Sequence, residues 1–365
     1  MRVALGSSAI LSILFAGLLV FSQDPPSLML DQARASLNYA KQSEAERYAP
    51  GLVAEAEQEW ENTMSEWRYQ NTRLFFLRDF GRTLELATRV AERSLEAAQQ
   101  SISVRENLQS DLYERIKSQE VAIEDFERFY SRLPIDPSVR KTFTAGKLLF
   151  LQGKQAYNRQ DFNQAEKDLK EAHLLTNDAE RNASRLLETY FSQFDLWQRW
   201  MEETIELSRR QPVIVIDKFA RECTVYKSGK SIRTFSIEMG PNWIGDKRHR
   251  GDKATPEGRY YIIKKKKGVE TIYYKALLIN YPNDEDRKRY NDDVKRGILP
   301  ADQGIGGLIE IHGGGGKGAH WTEGCVALTN AEMDQIFDFV KVGTPVTIVG
   351  SLRNLEELQK ERSQQ

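Results

Sequence analysis

The chain has 365 residues, enough for two or three domains with separate cores. With 52 Lys+Arg against 53 Asp+Glu the net charge is -1, so no basic field points to nucleic acid as a partner, and 40% hydrophobic residues exclude a disordered chain. Two cysteines are too few for a disulfide-built scaffold.

Arg2 precedes a nearly unbroken apolar run from Val3 to Phe21, which Gln23-Asp24-Pro25-Pro26 ends. This is the pattern of a secretory signal peptide over residues 1–22, with cleavage after Ser22, or of an uncleaved N-terminal membrane anchor. A buried soluble helix is the third reading. No cysteine lies near the junction, which excludes lipidation there. The first two readings export residues 27–365 to the periplasm or cell envelope, with membrane contact only through the N-terminal segment.

Residues 28–210 predict helix nearly throughout. Proline is confined to Pro50, Pro134 and Pro137, and Leu84, Ala87, Val90, Ala91, Leu95 and Ala98 recur at helical spacing. Asp136-Pro137 breaks the helices midway. Arg78-Asp79-Phe80-Gly81 is echoed by Gln160-Asp161-Phe162-Asn163. Gly153, Tyr157, Phe162, Ala165, Leu169 and Ala172 fit one tetratricopeptide-like helix pair, and a plain bundle is the alternative. Trp60, Trp67, Phe75, Phe76 and Phe80 are expected in its core. The function such a domain suggests is docking of a protein partner or positioning.

At Gln211-Pro212 the texture changes. Val213–Asp217, Thr224–Tyr226 and Ile232–Ile237 predict a strand meander, with further strands at Gly258–Lys264, Tyr274–Asn280, Leu308–His312 and Pro345–Val349. One helix is expected at Asn330–Val340, capped by Thr329 or Asn330. Lys264–Lys267 and Arg287-Lys288-Arg289 read as solvated hairpin tips, with a site for an anionic partner as the alternative. The fold class is therefore α+β in two domains. An all-helical domain, residues 28–210, precedes a mostly β domain, residues 211–350, with one helix after Cys325; residues 351–365 are a polar tail.

The chemistry is concentrated in Ile311-His312-Gly313-Gly314 and Thr322-Glu323-Gly324-Cys325-Val326-Ala327-Leu328. A cysteine attacks as thiolate and needs a base or a positive field to become one. His312, at a strand end and followed by glycines that leave its imidazole open, is the candidate base. Gly324 permits a tight turn whose amides could face an oxyanion. Glu310 shares a strand face with His312 and either tunes it or faces solvent. Cys223, on a strand, is expected to be a small packing residue; a Cys223–Cys325 disulfide is the other option.

These residues resemble the catalytic motif of the L,D-transpeptidase (YkuD-like) family, in which a histidine-glycine strand end precedes Ser/Thr-His-Gly-Cys, an apolar residue, Arg and another apolar residue. Gly251-Asp252-Lys253-Ala254-Thr255-Pro256-Glu257-Gly258 resembles the family's Gly-Asp-x-x-Thr-Pro-Glu-Gly segment. Asn280-Tyr281-Pro282-Asn283 and Gly343-Thr344-Pro345-Val346 also fit, so the resemblance covers residues 211–350. It implies a sandwich or barrel with Cys325 as nucleophile and His312 as base. The Gly313 carbonyl would orient the imidazole, and the Gly324 and Cys325 amides would form the oxyanion hole. His320, Trp321, Thr322 and Glu323 would contact substrate.

The implied substrate is the peptidoglycan stem peptide, cleaved at the L,D bond after meso-diaminopimelate, with the acyl group passed to an amine or to water. No metal or cofactor is implied. Two residues depart from the family pattern: Glu323 stands for its histidine and Ala327 for its arginine, and Lys317, His320 or Arg259 could replace the latter. Transfer, hydrolysis of a stem or a peptidoglycan–lipoprotein link, and a non-catalytic wall-binding scaffold all stay open.

Overall fold

The computed structural model describes residues 26–300 and 302–362. The signal or anchor segment lies outside the described residues. Among the described residues no helix is long and apolar enough to cross a membrane. Two compact units emerge. One gathers residues up to Ser118 with Phe150–Lys170; the other gathers Gln119–Leu149 with everything from Glu171 onward.

The first unit contains α1 (Ser27–Gln42), α2 (Ala45–Tyr48), α3 (Pro50–Thr72) and parts of α4 (Gly81–Tyr130), α5 (Pro137–Asn158) and α6 (Phe162–Phe191). Pro50 starts α3, where its missing N–H costs nothing. Alanines make the seams: Ala40, Ala45, Ala49, Ala97 and Ala98 form one buried cluster with Val53, and Ala33, Ala87 and Val90 another, against which Trp60 packs. Small side chains let helix axes approach closely. The α5–α6 hairpin does so at Gly153, where a Cβ would sit 2.8 Å from Leu169 Cγ, and Tyr157 and Phe162 face each other across the turn at 5.5 Å. Phe80 is buried as expected, but Phe75 and Phe76 are not core residues. They lie on a short 3₁₀ turn between α3 and α4, pack edge-to-face on each other at 5.3 Å, and remain 41% and 40% exposed.

The second unit is built on eight strands: β1 (Val213–Asp217), β2 (Glu222–Lys227), β3 (Lys230–Ser236), β4 (Gly258–Lys267), β5 (Lys275–Ile279), β6 (Glu310–His312), β7 (Val326–Ala327) and β8 (Pro345–Val349). They form one sheet in the order β3-β2-β1-β8-β4-β5-β6-β7. β1 and β8, and β6 and β7, run parallel, and the other neighbours are antiparallel. Every residue of β1 is buried, as befits a continuous β-branched run at the sheet centre. β4 is the pivot. Gly258–Tyr261 pair with β8, residues from Ile262 on pair with β5, and a register shift between Ile262 and Lys264 bends the strand so that the sheet curls.

Helix α7 (Phe194–Ser208) packs on β1, β2 and β8. Its Trp197 is 1% exposed, and the ring lies so close to Gly350 that a Cβ there would be 2.2 Å away. Thr204 and Thr347 share a buried 2.6 Å hydrogen bond. An unbroken aromatic path links Trp197 and Phe191 through Phe219 and Trp243 to His320, with ring separations between 5.4 and 5.9 Å.

Two further helices, α8 (Asp284–Lys295) and α9 (Asn330–Phe339), lie among residues 211–350. Thr329 caps α9 in a reciprocal box with Glu332. Helix α8 corrects the expectation of a hairpin tip at Arg287-Lys288-Arg289. Asn283 caps it in a box with Asp286, and Asp284, Glu285 and Asp286 complement the positive helix end. Lys264–Lys267 likewise belong to β4: Lys265 Nζ donates to the Phe337 and Val340 carbonyls, and Lys266 pairs with Glu310. The tail carries α10 (Leu355–Arg362), with Leu358 buried.

Because Trp197 fills the core of this unit, Trp197→Ala should destabilise the protein by about 3–5 kcal/mol, the usual cost of emptying such a site. Chemical denaturation would measure this. An unchanged midpoint would mean that α7 is not part of that core.

Candidate active site

Cys325 immediately precedes β7, and His312 ends β6. These strands run parallel with Ile311 opposite Val326 and His312 opposite Ala327, so the two residues are carried on neighbouring strands. The turn before Cys325 is pinned by Thr322, which is 3% exposed. Its amide donates to the Met239 carbonyl, its hydroxyl donates to the Cys325 carbonyl at 2.7 Å, and its oxygen accepts from the Gly324 amide at 3.3 Å. Gly324 has φ +116°, and a Cβ there would lie 2.5 Å from the Ala254 carbonyl oxygen, so only glycine fits. Ala254 belongs to the Gly251–Gly258 segment, whose backbone lies against the Cys325 turn. Lys253 reinforces this, because its carbonyl oxygen would sit 1.9 Å from a Cβ on Gly240.

The imidazole of His312 is fully buried. Its Nδ1 lies 2.8 Å from the Gly313 carbonyl, which can only accept, so Nδ1 carries the proton and Nε2 presents a lone pair. Nε2 has no hydrogen-bond partner. Tyr273 stacks on one face of the ring at 3.5 Å and 11°, and Trp321 meets it at 5.8 Å. Gly313 sits in a tight place: a Cβ there would be 2.7 Å from Asn330 Oδ1 and 3.1 Å from Tyr274 Cβ, so Asn330 would have to shift. Burial lowers the imidazole pKa, with Lys317 adding to it, while the Gly313 carbonyl and Glu310 oppose it. Burial also pushes the Cys325 thiol up to about 11; a hydrogen bond with the Glu310 backbone opposes this, the Glu310 charge adds to it, and Lys247 and Lys266 act against it. The resting pair is therefore a neutral thiol and a neutral imidazole. The thiol points at the Leu308 carbonyl, 3.7 Å away, rather than at Nε2.

The other residues singled out from sequence divide. Trp321 donates to Glu238 Oε2 at 2.7 Å, and the same carboxylate accepts from the Gly318 amide. Lys317 Nζ lies 3.3 Å over the Trp321 ring. His320 Nδ1 accepts from the Met239 amide at 3.1 Å and its ring packs on Trp243, so it braces the loop. Glu323 is exposed and lies 3.7 Å from Lys253. Ala327 is buried and bridged to Glu238 through both its amide and its carbonyl. Arg259 is held by Glu203 and Glu285.

Glu310 does not face solvent. It is 6% exposed and pairs with Lys266 at 2.6 Å. Both cysteines are free, and Cys223 is buried in β2 with its thiol pushed up to about 12 by that burial. Tyr273, Lys266 and the buried Lys247, paired with Asp252 at 2.7 Å, complete the surroundings of the pair. Sequence reading missed all three. Tyr273 lies beyond the periodic part of its strand, and a lysine gives no sign of burial until its carboxylate partner is known.

The family model of the L,D-transpeptidase catalytic domain (YkuD) matches residues 211–348. The candidate L,D-transpeptidase YafK of Escherichia coli K12 is 32% identical over 97 residues, 27% of this chain and 32% of that protein. The chain thus spans about a third of the length of the curated relative it matches, and YafK of Escherichia coli O157:H7 matches to the same extent. Among solved structures, Bd1075 of Bdellovibrio bacteriovorus aligns with a TM-score of 0.31 and 23% identity, over 42% of this chain and 54% of that one. L,D-transpeptidase 1 of Mycobacterium tuberculosis aligns with a TM-score of 0.25 and 18% identity, over 38% and 62%. Residues 211–348 of this chain belong to the YkuD family of L,D-transpeptidase catalytic domains.

Proposed function

We propose that the chain is an exported cysteine acyltransferase that cuts the L,D bond after meso-diaminopimelate in a peptidoglycan stem peptide and passes the acyl group to an amine. The supporting observation is the fixed tautomer of His312, whose open Nε2 lies on the strand beside Cys325. On substrate binding the thiol swings from the Leu308 carbonyl, Nε2 takes its proton, and Sγ attacks the scissile carbonyl. The Gly324 and Cys325 amides receive the oxyanion; the first is held only loosely, at 3.3 Å, by Thr322. Collapse breaks the C–N bond, and the imidazolium returns its proton to the departing D-alanine amine. An amine, deprotonated by His312, then attacks the thioester and frees Cys325. Trp321 and Thr322 line the turn where the stem would lie, and Lys317 over Trp321 supplies the cation that Ala327 does not.

Incubating the full chain with defined muropeptides, read by mass spectrometry, tests the reading. New cross-links or amino-acid exchange are expected. Release of fragments alone would replace transfer by hydrolysis, and no turnover would leave the scaffold reading. Cys325→Ala should abolish all products; unchanged activity in that variant would sink the assignment. Gly324→Ala should lower turnover at least ~100-fold, because its Cβ must displace the Ala254 backbone and the oxyanion amide with it. Full activity in that variant would remove the turn from the mechanism.

The pH dependence follows from the thiol. A raised pKa means the thiolate is scarce at neutral pH and accumulates only toward pH 11. Alkylation of the free protein by iodoacetamide should therefore rise by about tenfold per pH unit from pH 7 to about 10. A plateau below pH 8 would show a preformed thiolate–imidazolium pair instead.

A further inference from the structure

A cavity of about 680 Å³ lies in the same unit, outside the Cys325 site. The aromatic residues Tyr190, Trp197 and Trp200 stand on its helical side, and Asp246, Glu257 and Arg289 stand opposite. It adjoins a cavity of about 670 Å³ at Pro134–Pro137, and the two share Leu186 and Thr189.

The charges of this cavity narrow what it can hold. Each lining cation already has a carboxylate. Arg289 pairs with Asp246 at 2.8 Å and Asp286 at 2.6 Å, Arg248 pairs with Asp293 at 2.7 Å, and Arg259 pairs with Glu203 and Glu285. An anionic ligand would have to break one of these pairs. A hydrocarbon would strip water from them without replacing its hydrogen bonds. A neutral polyhydroxylated ring does neither, because its hydroxyls can bond the free lone pairs and N–H groups of intact ion pairs. Its C–H face can lie on an indole, and Trp200 is partly exposed. The Tyr190 hydroxyl is buried beside Glu257, so the polar groups left to a ligand are those of the ion pairs.

We propose that this cavity is a glycan subsite that holds a pyranose ring of the strand bearing the stem peptide; the choice of strand rests on the stem-peptide reading above. The loop carrying the cavity's charges ties it to the nucleophile. Asp246 and Arg248 line the cavity, while Lys247 between them is 3% exposed, pairs with Asp252, and acts on the Cys325 thiol through its charge. The loop therefore carries groups that line the cavity on either side of a lysine whose charge is felt at Cys325.

The full chain carrying Cys325→Ala, titrated calorimetrically with the tetramer of N-acetylglucosamine, should show saturable binding. Adding Trp200→Ala should weaken it about tenfold or more, and Trp200→Phe should keep it within about threefold, with thermal midpoints unchanged. With Cys325 restored, Trp200→Ala should leave turnover of a sugar-free stem peptide intact and slow turnover of intact glycan strands about tenfold. No saturable binding, equal affinity with and without Trp200, or equal loss on sugar-free peptide would overturn the subsite. Trp200-dependent tetramer binding in a protein that turns over no stem peptide would uphold the subsite and remove the transpeptidase reading alone.

Discussion

Lys218 is a lysine with no exposure to water, and each of its three N–H groups is spent inside the protein. They go to the Gly245 carbonyl at 2.5 Å, the Thr255 carbonyl at 2.8 Å and Glu257 Oε1 at 2.8 Å. Glu257 in turn accepts from Trp197 of α7 through its second oxygen, and its amide donates to Asp246, which Arg289 of α8 holds. Taking these charges out of water is costly, and the arrangement stands only because every partner is present. Removing one member of such a buried pair commonly costs about 3–5 kcal/mol. The network therefore fixes three separate stretches of chain at once: the loop near Gly245, the Thr255–Glu257 segment and helix α7. The Ala254 carbonyl that bears on Gly324 is one residue from this anchor, so the position of the Cys325 turn is set from behind by a buried ion pair.

His312 and Cys325 could be singled out in the sequence as a candidate pair because glycines flank both members. His312 and Cys325 needed close backbone approach, and Gly313 and Gly324 prove to be positions where a Cβ collides with Asn330 and Ala254. The strands were legible for a similar local reason, since Val213–Asp217 and Pro345–Val349 are apolar enough to declare themselves without their neighbours. Helix α8 was not, because its stability lies in its caps and its charge pairs rather than in an apolar stripe. The Asn283-x-x-Asp286 spacing was the available signal.

What could not be read locally is whatever depends on a partner distant in sequence. Glu310 and Lys266 each have the look of surface residues, yet by meeting 44 residues apart Glu310 becomes buried and Lys266 half-buried. Trp197 sits in a helix whose composition matches the helices before it, yet its ring closes the core of the sheet. Phe75 and Phe76 failed in the opposite sense: two aromatic residues side by side on a short turn can satisfy each other without entering a core.

The protonated state of the two thiols has a consequence for durability. Oxidation to sulfenic acid proceeds through the thiolate, and both cysteines hold their protons at neutral pH, Cys325 by partial burial and Cys223 by complete burial. In the exported compartment proposed for this chain no glutathione pool repairs a damaged nucleophile. On the proposed mechanism the thiol becomes reactive only when substrate brings it to His312, so peroxide would meet it mostly in its inert form, and its working life would be set by how often it works rather than by how long it waits.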